Sequence, residues 1–552
     1  MTAITGLRGG GGLSEERAGQ QWREWAVSRR RLLRTAGFGA GALALAGLSR
    51  PGSVNSAQST PAAAMGEPVL GGSLSMSLAD DDVLSFDPVP VFDNMSIWTM
   101  LLIYDQLIRV GPDGTSLEPG LATEWSASED GLTYTFTLRE TTFHDGTPCT
   151  AEDAAFCLNR VAFEEGSPWA FIFSAVESVE ASAADTVVVR LNSVWVPFEA
   201  DMALFGASVY PRAAFEAQGD ELWQAPIGTG PFAFESWDKG AQIVLRKNPA
   251  YWDQPKPYLD EVVFKVLTDA NARMLQFQGG ELDIATNVPF SQIEQIRANP
   301  DYVLVEDAAA RFDYMGFNLT RQPFDDRNLR RAINFAVDKE SIIQNVLFGA
   351  GAPATSYLPP MPGHDPNSPG YPFDLEEARR LVAESAYADG FAYELLIGTG
   401  DPVDAQIAQL VAAQLAEIGG AVTVTQLEPA TVTERLTVSN DYDSAKSYYT
   451  TDIIDPDELT SFAVLSDGGT DAVWTFYQNE EVDRLIREAQ VETDPARRQE
   501  LYNEVQRLHL EDAPVLFLFY PTGRTAIHNH VQNFRILPTG NYRLYETWRN
   551  DA

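Results

Sequence analysis

"TFHDGTPCTAEDAAFCLNR", residues 142–160, joins a turn, a helix start, one histidine and both cysteines of the chain. Just upstream, "GLTYTFTLRET" (131–141) alternates Tyr134, Phe136 and Leu138 with Thr133, Thr135 and Thr137, which predicts a strand with one apolar face. Asp145-Gly146 supplies the turn, because glycine tolerates positive φ and aspartate bonds its own backbone. Thr150 to Asp153 has capping-box spacing, and Ala154, Phe156, Cys157 and Val161 follow as packing positions of a helix. Strand, turn and helix in succession point to a mixed α/β protein. The spacing of His144, Cys149 and Cys157 fits no common zinc pattern. Along the helix the two cysteines stand about 12 Å apart, beyond the roughly 7 Å a disulfide spans. Two reduced, buried thiols are expected. No nucleophile or partner base accompanies His144, so the stretch reads as framework.

The chain has 552 residues, enough for two or three domains, with 45% hydrophobic and 11% aromatic content, as in a packed globular protein. Its formal net charge of -39 repels phosphate backbones and anionic lipid, which excludes nucleic acid as a partner and suggests a solvated acidic shell. Residues 1–64 differ, with eight arginines against three glutamates. There "SRRRLLR" (28–34) precedes the short, glycine-diluted apolar run "TAGFGAGALALAGL" (35–48) and a spacer ending in "PAAA" (61–64). This is the layout of an export signal, and Ser-Arg-Arg-x-Leu-Leu-Arg resembles the twin-arginine type, which implies that export machinery as a partner and cleavage after Ala64. The run is too short and glycine-rich to span a bilayer, and no cysteine ends it, so a soluble, extracytoplasmic protein without a lipid anchor is expected. "VLFLFY" (515–520) is strand-sized.

Farther along, "TVVVRL", "QIVLRKN", "EVVFKVL" and "AVTVTQL" read as strands. Leu329 to Phe348 is predicted as one helix stopped by Gly349, Asp404 to Ile418 as another, and 481–490 and 495–510 as two more. "IGTGPF" (227–232) lacks the Lys-Ser/Thr of a phosphate loop and reads as a structural turn. "HNH" (528–530) places two histidines on one strand face and reads as a surface loop, since a metal needs a third ligand. His364 and His509 stand alone.

"GLATEWSASEDGLTYTFTLRETTFHDGTPCTAEDAAFCLNR" resembles the first signature of the extracytoplasmic solute-binding proteins of peptide-type ABC importers, family 5, the dipeptide, oligopeptide and nickel type. Further matching blocks follow in order: "PIGTGPFAFESW", "LRKNPAYWDQPKPYLDEVVFKV", "FNLTRQPFDDRNLRRAINFAVDKESI", "TDIIDPDE" and the segment 477–520. The resemblance covers about residues 70 to 550 and implies a two-lobed α/β periplasmic-binding-protein fold. It is the class II, large type with an extra subdomain in lobe one and a hinge of two strands. Carried over, lobe one is 66–316 plus 522–552 with 108–207 as its extra subdomain, and lobe two is 317–521. The crossovers fall at "MGFNLTRQPF" (315–324) and "LFYPTGR" (518–524). The implied protein is a monomer and no enzyme, needs no cofactor or metal, and delivers a small peptide-like ligand to an ABC permease with its ATPase subunits.

Within "TTDIIDPDE" (450–458), which by itself reads as a solvated acidic loop, the resemblance assigns Asp452 to the ligand's α-ammonium. Tyr449 stands where many relatives carry tryptophan, an aromatic wall. Lys446, a solvated lysine by default, lies where relatives place a base for a ligand carboxylate. From the other lobe, "PVPVFDNMS" (88–96) offers Phe92, Asp93 and Asn94 as exposed contacts. Two alternatives remain open: an exported hydrolase using Asp452 and Asp455 as an acid pair on a peptide or glycoside, and a binding protein for an oligosaccharide or metal chelate.

Overall fold

The computed structural model describes residues 66–551 except 80, 92, 309, 400 and 469–473. The expected signal over 1–64 and the candidate Phe92 lie outside the described residues. In strand Thr133–Leu138 the alternation works as read, with Tyr134, Phe136 and Leu138 buried. The turn follows, Gly146 at φ 84° and the Thr147 amide donating to Asp145 at 2.9 Å. Thr150 and Asp153 then form a complete capping box on helix Ala151–Phe163. That helix packs on a separate four-stranded antiparallel sheet built from Ala122–Ala127, Thr133–Leu138, Thr186–Leu191 and Val176–Ala183.

His144 belongs to this framework. Its Nε2 lies 3.0 Å from the Gly230 carbonyl and its Nδ1 accepts from the Gly228 amide at 3.2 Å. Burial lowers its pKa to about 4, so the ring is neutral and can accept that proton. The same two glycines let the 227–232 turn press on the chain at 102–103, where a Cβ on Gly228 would stand 2.1 Å from the Ile103 carbonyl oxygen. Strand Phe232–Asp238 follows the turn. Both cysteines are free; Cys157 is buried, but Cys149 is only half-buried, because it precedes the helix at the rim of the core.

A larger sheet crosses the whole molecule. In order it runs Gly420–Leu427, Phe391–Gly398, Ser444–Thr450, Arg311–Phe317, Val515–His528, Ile284–Ala285, Ser73–Leu78, Glu261–Val266, Gln242–Lys247 and Phe232–Asp238. The long strand Val515–His528 serves both ends. Its first part pairs with Arg311–Phe317 and Gly351–Pro353, and its second part, Thr522 to His528, pairs with Tyr302–Ala308. Pro521 sits where the partners change, a fitting place for a residue with no amide to donate to a ladder. Partners also change between Ala308, which pairs with Thr522, and Arg311, which pairs with Thr450.

The expected helix from 329 to 348 is two. Arg327–Ala336 ends at Val337, and Asp338 starts Lys339–Val346 by accepting the Ser341 amide at 2.9 Å. Lys339 is buried, its ammonium donating to the carbonyls of Asn334 and Tyr371 at 2.7 and 2.8 Å. The helices Pro402–Ala416, Glu480–Val491 and Pro495–Asp512 form close to the positions read from periodicity. The "HNH" segment is no free surface loop. His528 Nε2 lies 2.8 Å from the Phe277 carbonyl and His530 Nε2 2.6 Å from Asp283. Among the described residues no group of His, Cys, Asp and Glu is arranged to hold a metal ion. No helix among them is long and apolar enough to cross a membrane.

Candidate ligand cleft

Strands Phe391–Gly398, Gly420–Leu427 and Ser444–Thr450 are parallel, so their carboxyl ends lie together. Arg311 opens the antiparallel neighbour at that same end, beside the two passages between the halves of the sheet. The carboxyl edge of parallel strands where connections diverge is the usual ligand crevice of such sheets. Asp452 stands two residues beyond Ser444–Thr450, at this edge.

The acidic segment after that strand is not solvated. Thr451, Asp452, Asp457 and Glu458 are buried, and Asp455, Asp457 and Glu458 hold neighbouring parts of the chain. Glu458 Oε2 accepts the Thr451 hydroxyl at 2.7 Å and the amides of Asp452 and Ile453 at 2.8 and 3.0 Å, tying 451–453 to helix Pro456–Ala463. Asp455 caps that helix through the Asp457 amide and receives both Arg498 guanidinium nitrogens at 2.7 Å. Asp457 accepts from Gln490 and Ser461 at 3.0 and 3.1 Å, and burial pushes its carboxyl up to about 7. The acid pair of a hydrolase is thereby missing from the loop: Asp455 is spent on Arg498. These contacts fix the backbone of Asp452 itself, whose amide is held by Glu458.

Tyr449 is buried against Phe312 and Tyr314, ring centres 5.3 and 5.2 Å away, and burial raises its hydroxyl pKa well above the ordinary value. Lys446 is not solvated either. Three residues from Tyr449 on a strand, it faces the opposite side of the sheet, where its ammonium meets Asp313 at 2.6 Å and Asp404 at 2.9 Å. Arg311 completes this group, its Nε and Nη2 donating to Asp313 at 2.6 and 2.9 Å. Sequence reading missed Arg311, Asp313 and Asp404. The signal available was two charges spaced by two in the otherwise apolar strand "RFDYMGF".

The segment 88–96 is held from several sides. Asp87 takes the Arg160 guanidinium on both oxygens at 2.6 and 2.7 Å, and the Val91 carbonyl accepts Trp169 Nε1 at 2.9 Å. Arg160 is the last residue of the framework stretch at 142–160, which therefore positions this loop. Asp93 and Asn94 are buried, not exposed, because Asp93 caps helix Asn94–Met100 by accepting the Ser96 amide at 2.8 Å. Burial pushes the Asp93 carboxyl up to about 6, and among the described residues its second oxygen has no hydrogen-bond donor. Elsewhere the halves touch through the Val196 amide, which donates to the Gln490 carbonyl at 2.9 Å.

Residues 116–471 match the family model described as bacterial extracellular solute-binding proteins, family 5 Middle. A probable D,D-dipeptide-binding periplasmic protein of Escherichia coli (strain K12) is 30% identical over 83% of this chain and 90% of its own. Di/tripeptide-binding protein 2 of Pseudomonas aeruginosa (strain UCBPP-PA14) is 31% identical over 79% of this chain and 87% of its own. Among solved structures, the ABC transporter-associated periplasmic binding protein of Helicobacter pylori in complex with peptide STSA superimposes with a TM-score of 0.77 at 27% identity, covering 87% of this chain and 98% of that one. The dipeptide-binding protein of a Pseudoalteromonas species in complex with Met-Leu gives 0.76 at 25%, covering 87% and 100%. With a two-lobed α/β architecture, a sheet handed from one lobe to the other, and a loop acid set at its carboxyl edge, the chain belongs to the bacterial extracellular solute-binding proteins, family 5, and is the capturing, non-enzymatic component of an ABC import system.

Proposed function

We propose that the ligand is peptide-like and is held between lobe one, residues 66–316 plus 522–552 with 108–207 as an added subdomain, and lobe two, 317–521. The partner changes of the strands favour moving the first passage to 308–311. Asp452 receives the ligand's ammonium, Tyr449 contributes to the aromatic wall behind it, and Phe92, Asp93 and Asn94 supply the opposing lobe. The observation that carries this reading is the use of Asp455, Asp457 and Glu458 to build a rigid shelf for Asp452 at the sheet's carboxyl edge. A carboxylate enclosed with one cation is both strong and selective. The peptides named for the relatives support the ligand class.

In the same reading residues 1–64 form a twin-arginine-type export signal removed after Ala64. The mature protein carries no lipid anchor and works as a monomer that hands its ligand to the permease. A matching di- or tripeptide at about 100 times its Kd stabilises the protein by about 2.7 kcal/mol in calorimetric melting. Asp452→Asn lowers that peptide's affinity by about 100-fold, a loss of about 3 kcal/mol, in titration calorimetry. Equal affinity in the variant overturns the assignment of Asp452, and the absence of any binding from a complete di- and tripeptide set overturns the ligand class.

A further inference from the structure

The lysine at the cleft end of lobe two is already satisfied by the protein. Lys446 Nζ is bound by Asp313 at 2.6 Å from the neighbouring strand and by Asp404 at 2.9 Å from the first turn of helix Pro402–Ala416. The side chains of Lys446 and Asp313 are 3% and 1% exposed, so no water layer screens the pair. Burial works against the ammonium, yet the two carboxylates hold its pKa above the ordinary lysine value. The neighbouring cations are engaged as well. Arg311 grips both oxygens of Asp313 and lies 3.5 Å from the centre of the Tyr448 ring. Arg524, on the second passage, donates to the Val288 carbonyl at 2.8 Å and to Asn287 Oδ1 at 3.0 Å in lobe one.

Asp313 and Asp404 close on Lys446 from two sides, and Asp401 caps helix Pro402–Ala416 beside Asp404. A ligand carboxylate arriving at Lys446 would have to displace Asp313 or Asp404, leaving a resident charge buried without its partner. An uncharged group arriving there leaves the network whole. Far from the cleft, the strongly acidic chain draws cations and repels anions.

We propose that Asp313 and Asp404 set the ligand class: the cleft takes a ligand that carries an ammonium at one end and an uncharged group, such as an amide, ester or alcohol, at the other, in preference to a zwitterionic peptide with a free carboxylate. This rests on the reading of the cleft given under Proposed function. Asp313 and Asp404 then act as specificity-determining residues through Lys446, without touching the ligand's ammonium.

The test is titration calorimetry of the full protein at pH 7 with alanine and leucine homopeptides of two to five residues, each made as the free acid and as the C-terminal amide. The expected result is amides binding at least tenfold tighter than the corresponding acids. In Asp404→Asn, checked for folding by circular dichroism, the preference turns toward the acids by at least tenfold, and adding Lys446→Met abolishes that gain. Free acids binding the unaltered protein as tightly as amides, or tighter, overturn the proposal and leave the peptide reading standing. No binding in either series overturns the peptide reading and this proposal together. The comparison on the unaltered protein needs no variant to fold.

Discussion

His509 carries no motif in the sequence, yet the structure makes it one of the most constrained side chains. It is buried between Tyr357, Tyr477 and Phe517, ring centres 5.1, 5.3 and 5.7 Å away, and burial lowers its pKa from 6.5 to about 3. The unfolded chain therefore binds a proton between pH 6.5 and 3 that the folded chain refuses. The stabilisation is complete above pH 6.5 and is lost as pH falls through that window. At pH 5 the loss from this residue is on the order of 2 kcal/mol. His509→Met is expected to flatten the fall in urea-unfolding stability between pH 7 and 5 by that amount; an unchanged slope rejects the assignment. Lys446 and Tyr449 teach a related lesson. Their separation of three on a strand already places them on opposite faces, but only burial shows that the lysine belongs to Asp313 and Asp404.

Elements are set by caps and close approaches. The chain between 327 and 346 looks like one helix because Val337 and Asp338 are tolerated within helices. The break exists because the Asp338 carboxylate satisfies the Ser341 amide and its own amide is taken by Gln414. Asp338→Ala costs about 1 kcal/mol, measurable as a lower urea midpoint with unchanged slope. The 227–232 turn depends on missing side chains rather than on added ones. Gly228→Ala drives a Cβ against the Ile103 carbonyl, a backbone atom with no rotamer to yield, and should cost about 3 kcal/mol. Gly146→Ala, by contrast, meets no neighbouring atom within 4 Å, and its cost, about 1 kcal/mol, comes from φ alone. A melting comparison of the two variants separates crowding from backbone strain.

At the scale of the molecule, charge and the shared sheet dominate. Many exposed arginines are paired within their own helices, as Arg380 with Glu377 and Glu384 or Arg484 with Glu481 and Glu488. Such solvent-exposed pairs contribute little to stability, and salt weakens them. The net charge of -39 produces a repulsion that salt also weakens, with the opposite effect on stability. Repulsion is the larger effect here, so the melting temperature should rise as sodium chloride is raised from about 0.05 M to about 1 M, over which screening shortens from about 14 Å to about 3 Å. A flat or falling melting temperature would mean that the helical pairs outweigh the net charge. The second global feature is the strand Val515–His528, common to both lobes, whose partners change at Pro521.

The sequence by itself determined the strand–turn–helix framework at 133–160, the helices near the C-terminus and the two-lobed α/β class. Each follows from local periodicity, from capping and turn chemistry, or from ordered blocks legible along one chain. Tertiary structure alone decided which charges are spent. Arg498 reaches Asp455 across 43 residues, and Lys446 meets Asp313 across 133. Local sequence cannot distinguish a solvated acid from a buried one, because the difference lies in what distant segments bring to its side once water has been removed.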